Sequence, residues 1–419
     1  MIRKERLANG ITVLTESMPQ VRSVSLGVWL RQGSRHESAG RNGISHFLEH
    51  LVFKGTENRT SREIALAMES VGGQMDAFTS KEYTCFYAKI LDQHLPEAVD
   101  LLSDIVRRPL FDPVELERER KVVLEEIRMV EDSPDELIYV LFSESFYRNH
   151  SLGRPIQGTE ETVGGFSRAR LLRFFRRAYR PENILIVAAG NLKHRKVVRL
   201  IEDAFAGMEP TDNGAGRLTR PRVHSGIATR SKKLEQLHVL VCLPSFEENA
   251  SYRYPLYVLN ALLGGTMSSR LFQKLREERG LEYTVYSGVN AFMDSGFMMI
   301  YAATSPDKGR EVVGLVMEEL AALRDHGPDP EEVEAAREHM KGSLMLSLES
   351  TSSRMSNLAR QEIYFGRQFT LAEILRGIDR VTPESVHQVA ARMFDAPKVG
   401  LAAVGRLGRF RPRPEELAL

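Results

Sequence analysis

The stretch YRPENILIVAAGNL (residues 179–192) has a counterpart near the end of the chain, MFDAPKVGLAAVGRL (residues 393–407). Both segments contain an apolar, strand-like run that ends at a glycine, Gly190 in the first and Gly405 in the second. Similarity of a chain to itself at a nearly constant distance is the sequence signature of a repeated fold. This pair therefore predicts that the chain consists of two homologous halves.

Other features recur at about the same distance, which supports the duplication. The apolar run VSLGVWL (24–30) corresponds to HVLVCLP (238–244) in the second half. The dipeptide Asp112-Pro113 opens a charged helix, and Asp329-Pro330 opens another. Small changes in the distance are what short loop insertions produce.

The repeat predicts one domain over residues 1–210 and a homologous domain over residues 211–419. The polar, glycine- and proline-containing stretch MEPTDNGAGRLTRPR (208–222) would join them. Within the first half, MDAFTSKEYTCFYAKI (75–90) has the composition and partial alternation of a strand or hairpin. Strand runs followed by helix pairs predict an α+β fold, with a sheet packed against helices in each half.

Composition indicates a water-soluble, globular chain in a reducing compartment, and we expect a cytoplasmic location. The 419 residues include 57 basic and 56 acidic side chains, a formal charge of +1, which does not favour nucleic acid or a membrane surface as a partner. Two cysteines are too few for a disulfide framework. No run reaches the roughly 18 apolar residues of a membrane span, and the first residues lack the apolar segment of a signal peptide.

The stretch GISHFLEHLVFKGT (43–56) predicts a short helix with two different faces. At about 100° per residue, His46, Glu49 and His50 share the face opposite an apolar stripe. The stripe consists of Ile44, Phe47, Leu48, Leu51 and Val52. Two histidines four residues apart can reach one metal ion at about 2.0–2.1 Å, with Glu49 beside that ion. From this helix alone, a solvated polar face is an equally good interpretation.

The second half provides a control for that choice. The positions corresponding to His46, Glu49 and His50 carry leucine, in the stretch YVLNALLGGTM (257–267). These residues are Leu259, Leu262 and Leu263. A helix is predicted in both halves, but the polar triad is present only in the first, which favours a specialised site there over a merely solvated face.

A catalytic zinc site usually has three protein ligands and one open position, so two histidines are incomplete. The best candidates for the third ligand lie on the helix after Asp112, which is rich in glutamate. They are Glu115, Glu117, Glu119, Glu125 and Glu126. Spacing alone leaves Glu126 as one of several choices, and a surface helix stabilised by ion pairs is an equally good interpretation.

HFLEH has the inverted HxxEH zinc motif. With GGQMDAFTSKEYTCFYA (72–88) and ERERKVVLEEI (117–127) following in order, the whole chain resembles the pitrilysin/insulinase family of zinc peptidases, in its half-size processing-peptidase branch. The resemblance implies two homologous α+β halves that enclose a central cavity. It also implies a zinc-dependent endopeptidase that acts on short or unfolded peptides.

The resemblance further assigns roles to residues of the first half. It implies one Zn²⁺ per chain, bound by His46, His50 and Glu126, and Glu49 as the general base that takes a proton from water. Glu119 matches an acidic residue that contacts the ligands without binding the metal and keeps them oriented.

Substrate contacts are also implied by the resemblance. In LREERGLEYTVYS (275–287), Arg276 and Tyr283 match residues that reach the scissile region of the substrate. The strand to which substrates add corresponds to Asp76, Ala77, Phe78 and Thr79. Many relatives have asparagine in place of Asp76, so the preference for charged peptides is expected to differ.

Half-size members of the family usually pair, which implies a homodimer or a heterodimer with a related inactive subunit. The alternative function is a non-catalytic subunit of a peptidase-like or respiratory complex. Such subunits typically lack part of HxxEH, whereas this chain has all of it.

Overall fold

The computed structural model describes residues 1–210, 218–395 and 398–419, apart from the side chains of Glu282 and Tyr283. Part of the predicted linker (208–222) and the domain boundary within it lie outside the described residues. The strands are β1 (Ile2–Arg6), β2 (Thr12–Ser17), β3 (Ser23–Leu30), β4 (Gln74–Thr79), β5 (Thr84–Leu91), β6 (Ile184–Gly190), β7 (Gly226–Ser231), β8 (Leu237–Ser245), β9 (Glu282–Ala291), β10 (Gly296–Thr304) and β11 (Gly400–Gly405).

The α-helices are α1 (Ile44–Val52), α2 (Ser61–Glu69), α3 (Leu95–Arg107), α4 (Pro113–Asp132), α5 (Pro134–Phe146), α6 (Glu160–Gly164), α7 (Arg168–Ala178), α8 (His194–Ala204), α9 (Arg253–Asn260), α10 (Gly309–Asp325), α11 (Pro330–Ser347), α12 (Thr351–Phe365), α13 (Leu371–Asp379) and α14 (Pro383–Phe394). Within the described residues, no helix combines the length and the apolar character needed to cross a bilayer.

The strands form two sheets with the same internal plan. The first has the order β1-β2-β6-β3-β5-β4 and the second has the order β7-β11-β8-β10-β9. β2 and β6 run parallel, as do β7 and β11, and every other neighbouring pair is antiparallel. The last five strands of the first sheet therefore recur, in order and direction, in the second. This confirms the predicted α+β fold with two homologous halves.

The chain divides into two compact units, and each contains one sheet. Among the described residues, the first comprises Met1–Arg128, Arg154–Leu218 and Leu346–Gln368, and the second comprises Met129–Gly153, Thr219–Met345 and Phe369–Leu419. Apart from Leu218 at the boundary, this division differs from the predicted domains (1–210 and 211–419), among the described residues, in two segments, 129–153 and 346–368. Where the homologous halves meet in the sequence stays a prediction.

The two displaced segments carry helices that cover a face of the sheet in their unit. Phe142 and Phe146 of α5 belong to the same buried cluster as Leu240 of β8. Met355 of α12 belongs to a cluster with Trp29 of β3. A sheet whose central strands are apolar on both faces must be covered on both faces. That requirement explains why α5 and α12 each pack in a different unit from the residues that flank them in the sequence. The repeat in the sequence did not reveal this placement.

α1 lies in the core of the first unit with its predicted stripe buried. All five apolar residues of that stripe are at most 1% exposed. In the second unit, the corresponding Leu259, Leu262 and Leu263 are themselves buried. The first helix therefore has one buried face and one polar face, whereas its counterpart places apolar side chains at the polar positions.

Gly190 and Gly405 end the corresponding strands β6 and β11, each with φ of 140°. A Cβ atom at Gly190 would lie 2.2 Å from the carbonyl oxygen of Ser23, and one at Gly405 would lie 2.5 Å from that of Gln236. Both the dihedral angle and the close approach exclude a side chain. The repeated glycine noted in the sequence is therefore a backbone requirement at the end of an interior strand.

We expect Gly190→Ala to lower the free energy of unfolding by roughly 2–3 kcal/mol, because it combines an unfavourable φ with displacement of β3. Urea-induced unfolding followed by circular dichroism measures this effect. Gly164→Ala is the matched control, since φ is not positive there and no atom lies within 4 Å of the added Cβ. Equal effects of the two substitutions would contradict the explanation.

Candidate metal centre

Two helices of the first unit hold the polar residues singled out in the sequence. α1 presents His46, Glu49 and His50 on the face opposite its buried stripe. α4 presents Glu119 and Glu126. Because the buried face of α1 fixes its rotation, its three polar side chains point in one direction before any ligand is bound.

The two imidazoles of α1 and one carboxylate of α4 converge. Oε2 of Glu126 lies 3.7 Å from Nε2 of His46 and 3.5 Å from Nε2 of His50. The three ligand atoms lie within 4.8 Å of one another, and no other group of three potential metal ligands is this close among the described residues. Donors around one tetrahedral zinc ion, each at about 2.0–2.1 Å, are about 3.3 Å apart. The arrangement can therefore hold one such ion with small adjustments.

Glu119 contacts the ring nitrogen of His50 that does not face Glu126. Its Oε2 lies 3.3 Å from Nδ1 of His50, and its Oε1 lies 2.9 Å from Nζ of Lys54. When neutral His50 donates from Nδ1 to Glu119, the lone pair of Nε2 is left available to a metal ion on the side of Glu126. Burial by itself would raise the pKa of Glu119, but the hydrogen bonds of His50 and Lys54 lower it. Sequence reasoning missed Lys54, whose only signal was its position four residues after His50.

The protonation of the two histidines differs. Burial, followed by the neighbouring His50, lowers the pKa of His46 to about 3, which keeps this imidazole in the neutral form that binds metals. Burial also acts to lower the pKa of His50, but the hydrogen bond to Glu119 and the charges of Glu126 and Glu49 outweigh it and raise that pKa. The same negative surroundings would attract a divalent cation.

The carboxylate of Glu49 is held by the neighbouring hairpin. Oγ1 of Thr79, the last residue of β4, donates to Oε2 of Glu49 over 2.5 Å. Burial raises the pKa of Glu49, and the hydrogen bond from Thr79 and the charge of His50 partly oppose this rise. A raised pKa makes a carboxylate a better proton acceptor. The contact between Thr79 and Glu49 was missed in the sequence, although strand alternation places Thr79 and Ala77 on one face.

β4 is at the end of its sheet, so one side of this strand is unpaired among the described residues. Asp76 and Phe78 are exposed, while Ala77 and Thr79 are half-buried on the other face. Oδ1 of Asp76 accepts the backbone N–H of Ala77 over 2.8 Å, and the hydroxyl of Tyr87 donates to Oδ2 over 3.4 Å. The carboxylate of Asp76 therefore occupies a backbone donor on the strand predicted to bind substrate.

The two residues predicted in the second half belong to the second unit. The guanidinium carbon of Arg276 lies 4.9 Å from the ring centroid of Phe272, in a cation–π contact. The side chain of Tyr283 lies outside the part of the chain that the structure describes. Contact of either residue with substrate stays a prediction.

Comparison with known families places two matches along the chain. Residues 12–160 match the domain described as insulinase (peptidase family M16). Residues 165–340 match the domain described as the peptidase M16 inactive domain. The first match contains the whole of the converging cluster.

Several bacterial proteins are similar to this chain over nearly its full length. The zinc protease YmxG of Bacillus subtilis is 44% identical over 394 residues, which cover 94% of this chain and 96% of that protein. A protein of Mycobacterium tuberculosis, also named a zinc protease, is 39% identical over 99% of this chain and 95% of its own length. Both are named uncharacterized zinc proteases.

Solved structures share the fold. The crystal structure of a protease from Helicobacter pylori superposes with a TM-score of 0.89 at 21% identity, covering 97% of this chain and 99% of that one. A structure from Pseudomonas fluorescens, described as a peptidase M16 inactive domain, has a TM-score of 0.89 at 20% identity. The match covers 96% of this chain and 98% of that one. At these identities, the likeness establishes the fold alone. Together with the extended similarity to named zinc proteases, it leads to one conclusion: the chain belongs to the insulinase family of peptidases, family M16.

Proposed function

We propose that the protein is a zinc-dependent endopeptidase that hydrolyses peptide bonds in short or unfolded peptides, with Glu49 as the general base. The observation that carries this proposal is the convergence of His46, His50 and Glu126, whose ligand atoms lie within 4.8 Å of one another. The names of the relatives support zinc and proteolysis in general. The base and the class of substrate are inferred from the site of this chain.

The donor set suits zinc better than the common alkaline-earth ions. Two imidazole nitrogens and one carboxylate oxygen match a catalytic zinc site, whereas Ca²⁺ and Mg²⁺ prefer oxygen ligands throughout. Three protein ligands also leave a fourth position open. When bound there, zinc supplies Lewis acidity, which lowers the pKa of water to about 7 and polarises the carbonyl group to be attacked.

The residues around the ligands have separate tasks. Glu49 precedes His50 by one position, so its carboxylate lies beside the ligand set and is free to accept a proton from water. The same carboxyl group can then protonate the amine that leaves when the peptide bond breaks. Glu119 and Lys54 keep His50 oriented, so that Nε2 faces the position of the ion. No covalent intermediate with the protein is required.

The unpaired side of β4 suits an extended peptide. A peptide that adds as a further strand is held by backbone hydrogen bonds, which do not depend on its sequence. A folded substrate would have to unfold locally before it could pair in this way, and this supports short or unfolded peptides as substrates. We propose that residues 76–79 bind the peptide backbone, and that Arg276 and Tyr283 contribute further contacts from the second domain.

We expect the metal-free chain to bind one Zn²⁺, and Glu126→Gln to weaken that binding by more than 100-fold through loss of a ligand. Glu119→Gln should weaken it by roughly 10–100-fold, because His50 loses its partner. Competition with a chromophoric chelator measures both affinities. Glu125→Gln is the matched control on the same helix, since Glu125 pairs with Arg128 over 3.2 Å. Unchanged affinity in Glu126→Gln would contradict the ligand assignment.

We expect Glu49→Gln to retain zinc and to lose at least roughly 100-fold in cleavage of a quenched fluorescent peptide, because the amide cannot accept the proton. Metal content after dialysis and the initial rate are measured on the same preparations, with Glu125→Gln as the control. Equal rates in wild type and Glu49→Gln would exclude Glu49 as the base. A wild-type chain with neither zinc nor activity would favour the non-catalytic subunit.

We expect Asp76→Asn to change charge preference and leave general activity intact. The carboxylate of Asp76 is exposed and pairs with no cation among the described residues, so it can attract a basic side chain of a peptide lying along β4. We compare kcat/KM for a lysine-containing peptide with kcat/KM for the same peptide with glutamine in place of the lysine. The ratio of the two values should be up to roughly fivefold lower in Asp76→Asn than in wild type, the range of an exposed ion pair. An unchanged ratio at every position of the lysine would contradict this role.

A further inference from the structure

We infer that Thr79 is a positioning residue for the reaction: its hydroxyl holds one carboxylate oxygen of Glu49 and leaves the other oxygen free to take the proton. The inference rests on the proposed function, because it assigns Thr79 a task only if Glu49 is the base. It goes beyond the predicted place of Thr79 in the strand that binds substrate.

The direction of the hydrogen bond follows from the neighbouring hydroxyl groups. Oγ1 of Thr79 lies 2.5 Å from Oε2 of Glu49 and 3.4 Å from Oγ1 of Thr84. Thr84 itself donates to the carbonyl oxygen of Gln32 over 3.0 Å. An ionised carboxylate has no proton to give, so Thr79 is the donor and its proton lies towards Glu49. A hydrogen bond to a charged acceptor is about twice as strong as a neutral one.

The bond also selects between the two carboxylate oxygens. Thr79 occupies Oε2, and no hydrogen bond engages Oε1 of Glu49 among the described residues. A glutamate side chain has three rotatable bonds, so a carboxylate without a partner would sample several positions. Holding Oε2 reduces that freedom and presents Oε1 for proton transfer.

Thr79 is itself held by the turn that follows it. The backbone N–H of Ser34 donates to the carbonyl oxygen of Ser80 over 3.1 Å. The backbone N–H of Arg35 donates to the carbonyl oxygen of Lys81 over 2.7 Å. The side chains of Arg35 and Glu82 form an ion pair of 2.5 Å, and both are completely buried. Two backbone hydrogen bonds and one buried ion pair therefore connect the β4–β5 turn to the segment that begins at residue 34.

The same segment continues into the helix that carries Glu49. The carboxylate of Glu37 accepts the backbone N–H groups of Gly43 over 2.7 Å and of Ser45 over 2.8 Å, at the start of α1. Residues 34–45 therefore bind the hairpin at one end and the helix at the other. The segment 34–45 therefore fixes the positions of both Thr79 and Glu49. A base that is held in position for proton transfer requires such support.

Two substitutions at Thr79 separate positioning from a structural role. Thr79→Val keeps the shape and removes the hydroxyl, whereas Thr79→Ser keeps the hydroxyl. We expect Thr79→Val to lower kcat by roughly 10–100-fold, the range for a lost hydrogen bond to a charged group, with KM within about twofold and zinc content unchanged. Thr79→Ser should recover kcat to within about threefold of wild type.

Thr12→Val is the matched control, because it makes the same replacement in β2 of the same sheet. The hydroxyl of Thr12 makes no hydrogen bond among the described residues, so kcat should not change. A readout independent of activity is the crystal structure of the metal-free protein. We expect Glu49 to occupy one rotamer in wild type and Thr79→Ser, and more than one in Thr79→Val.

The outcomes distinguish this inference from the proposed function. Wild-type cleavage by Glu49→Gln would overturn both. If Glu49→Gln is inactive, three results overturn the inference alone: wild-type kcat in Thr79→Val, a change confined to KM, or no recovery in Thr79→Ser. A single, unchanged Glu49 rotamer in metal-free Thr79→Val would overturn it as well. A fall in kcat with recovery by serine and a mobile Glu49 in the valine variant would support it.

Discussion

Burial of one face of α1 is the constraint on which the candidate site depends. The apolar stripe of this nine-residue helix packs into the first core and leaves no freedom to rotate. His46, Glu49 and His50 must therefore project together, whether or not a metal is present. A short helix would be only marginally stable alone, so it is packing that makes the polar face a fixed surface.

A second helix turns this surface into a possible binding site. α4 brings Glu126 to both imidazoles and Glu119 to the back of one of them. Three carboxylates then surround two histidines, of which His46 is kept neutral by burial. Lys54 pairs with Glu119, whereas Glu49 and Glu126 place negative charge beside the two imidazoles, where it would attract a divalent ion. The proposed zinc site rests on this arrangement of two imidazoles and one carboxylate.

The duplicated fold shows how one scaffold supports two different surfaces. Both sheets share strand order, and both end a corresponding strand at a glycine with φ of 140°. In the second unit, buried leucines occupy the positions of the polar triad. The scaffold is thus repeated, while the proposed chemistry depends on side chains that only one copy carries.

Sequence alone determined the duplicated α+β plan, the two faces of α1 and the pairing of His46 with His50, because these follow from local periodicity and repetition. Spacing left several glutamates of α4 as possible ligands, and only the family resemblance singled out Glu126. The sequence did not reveal Thr79 as the partner of Glu49. Nor did it reveal which helices, α5 and α12, cover each sheet. Only the tertiary structure showed that Glu126 lies near both imidazoles, that Thr79 contacts Glu49 and that α5 and α12 cover the sheets. These contacts depend on the distance between elements far apart in the chain, and such distances are set by packing rather than by spacing within one element.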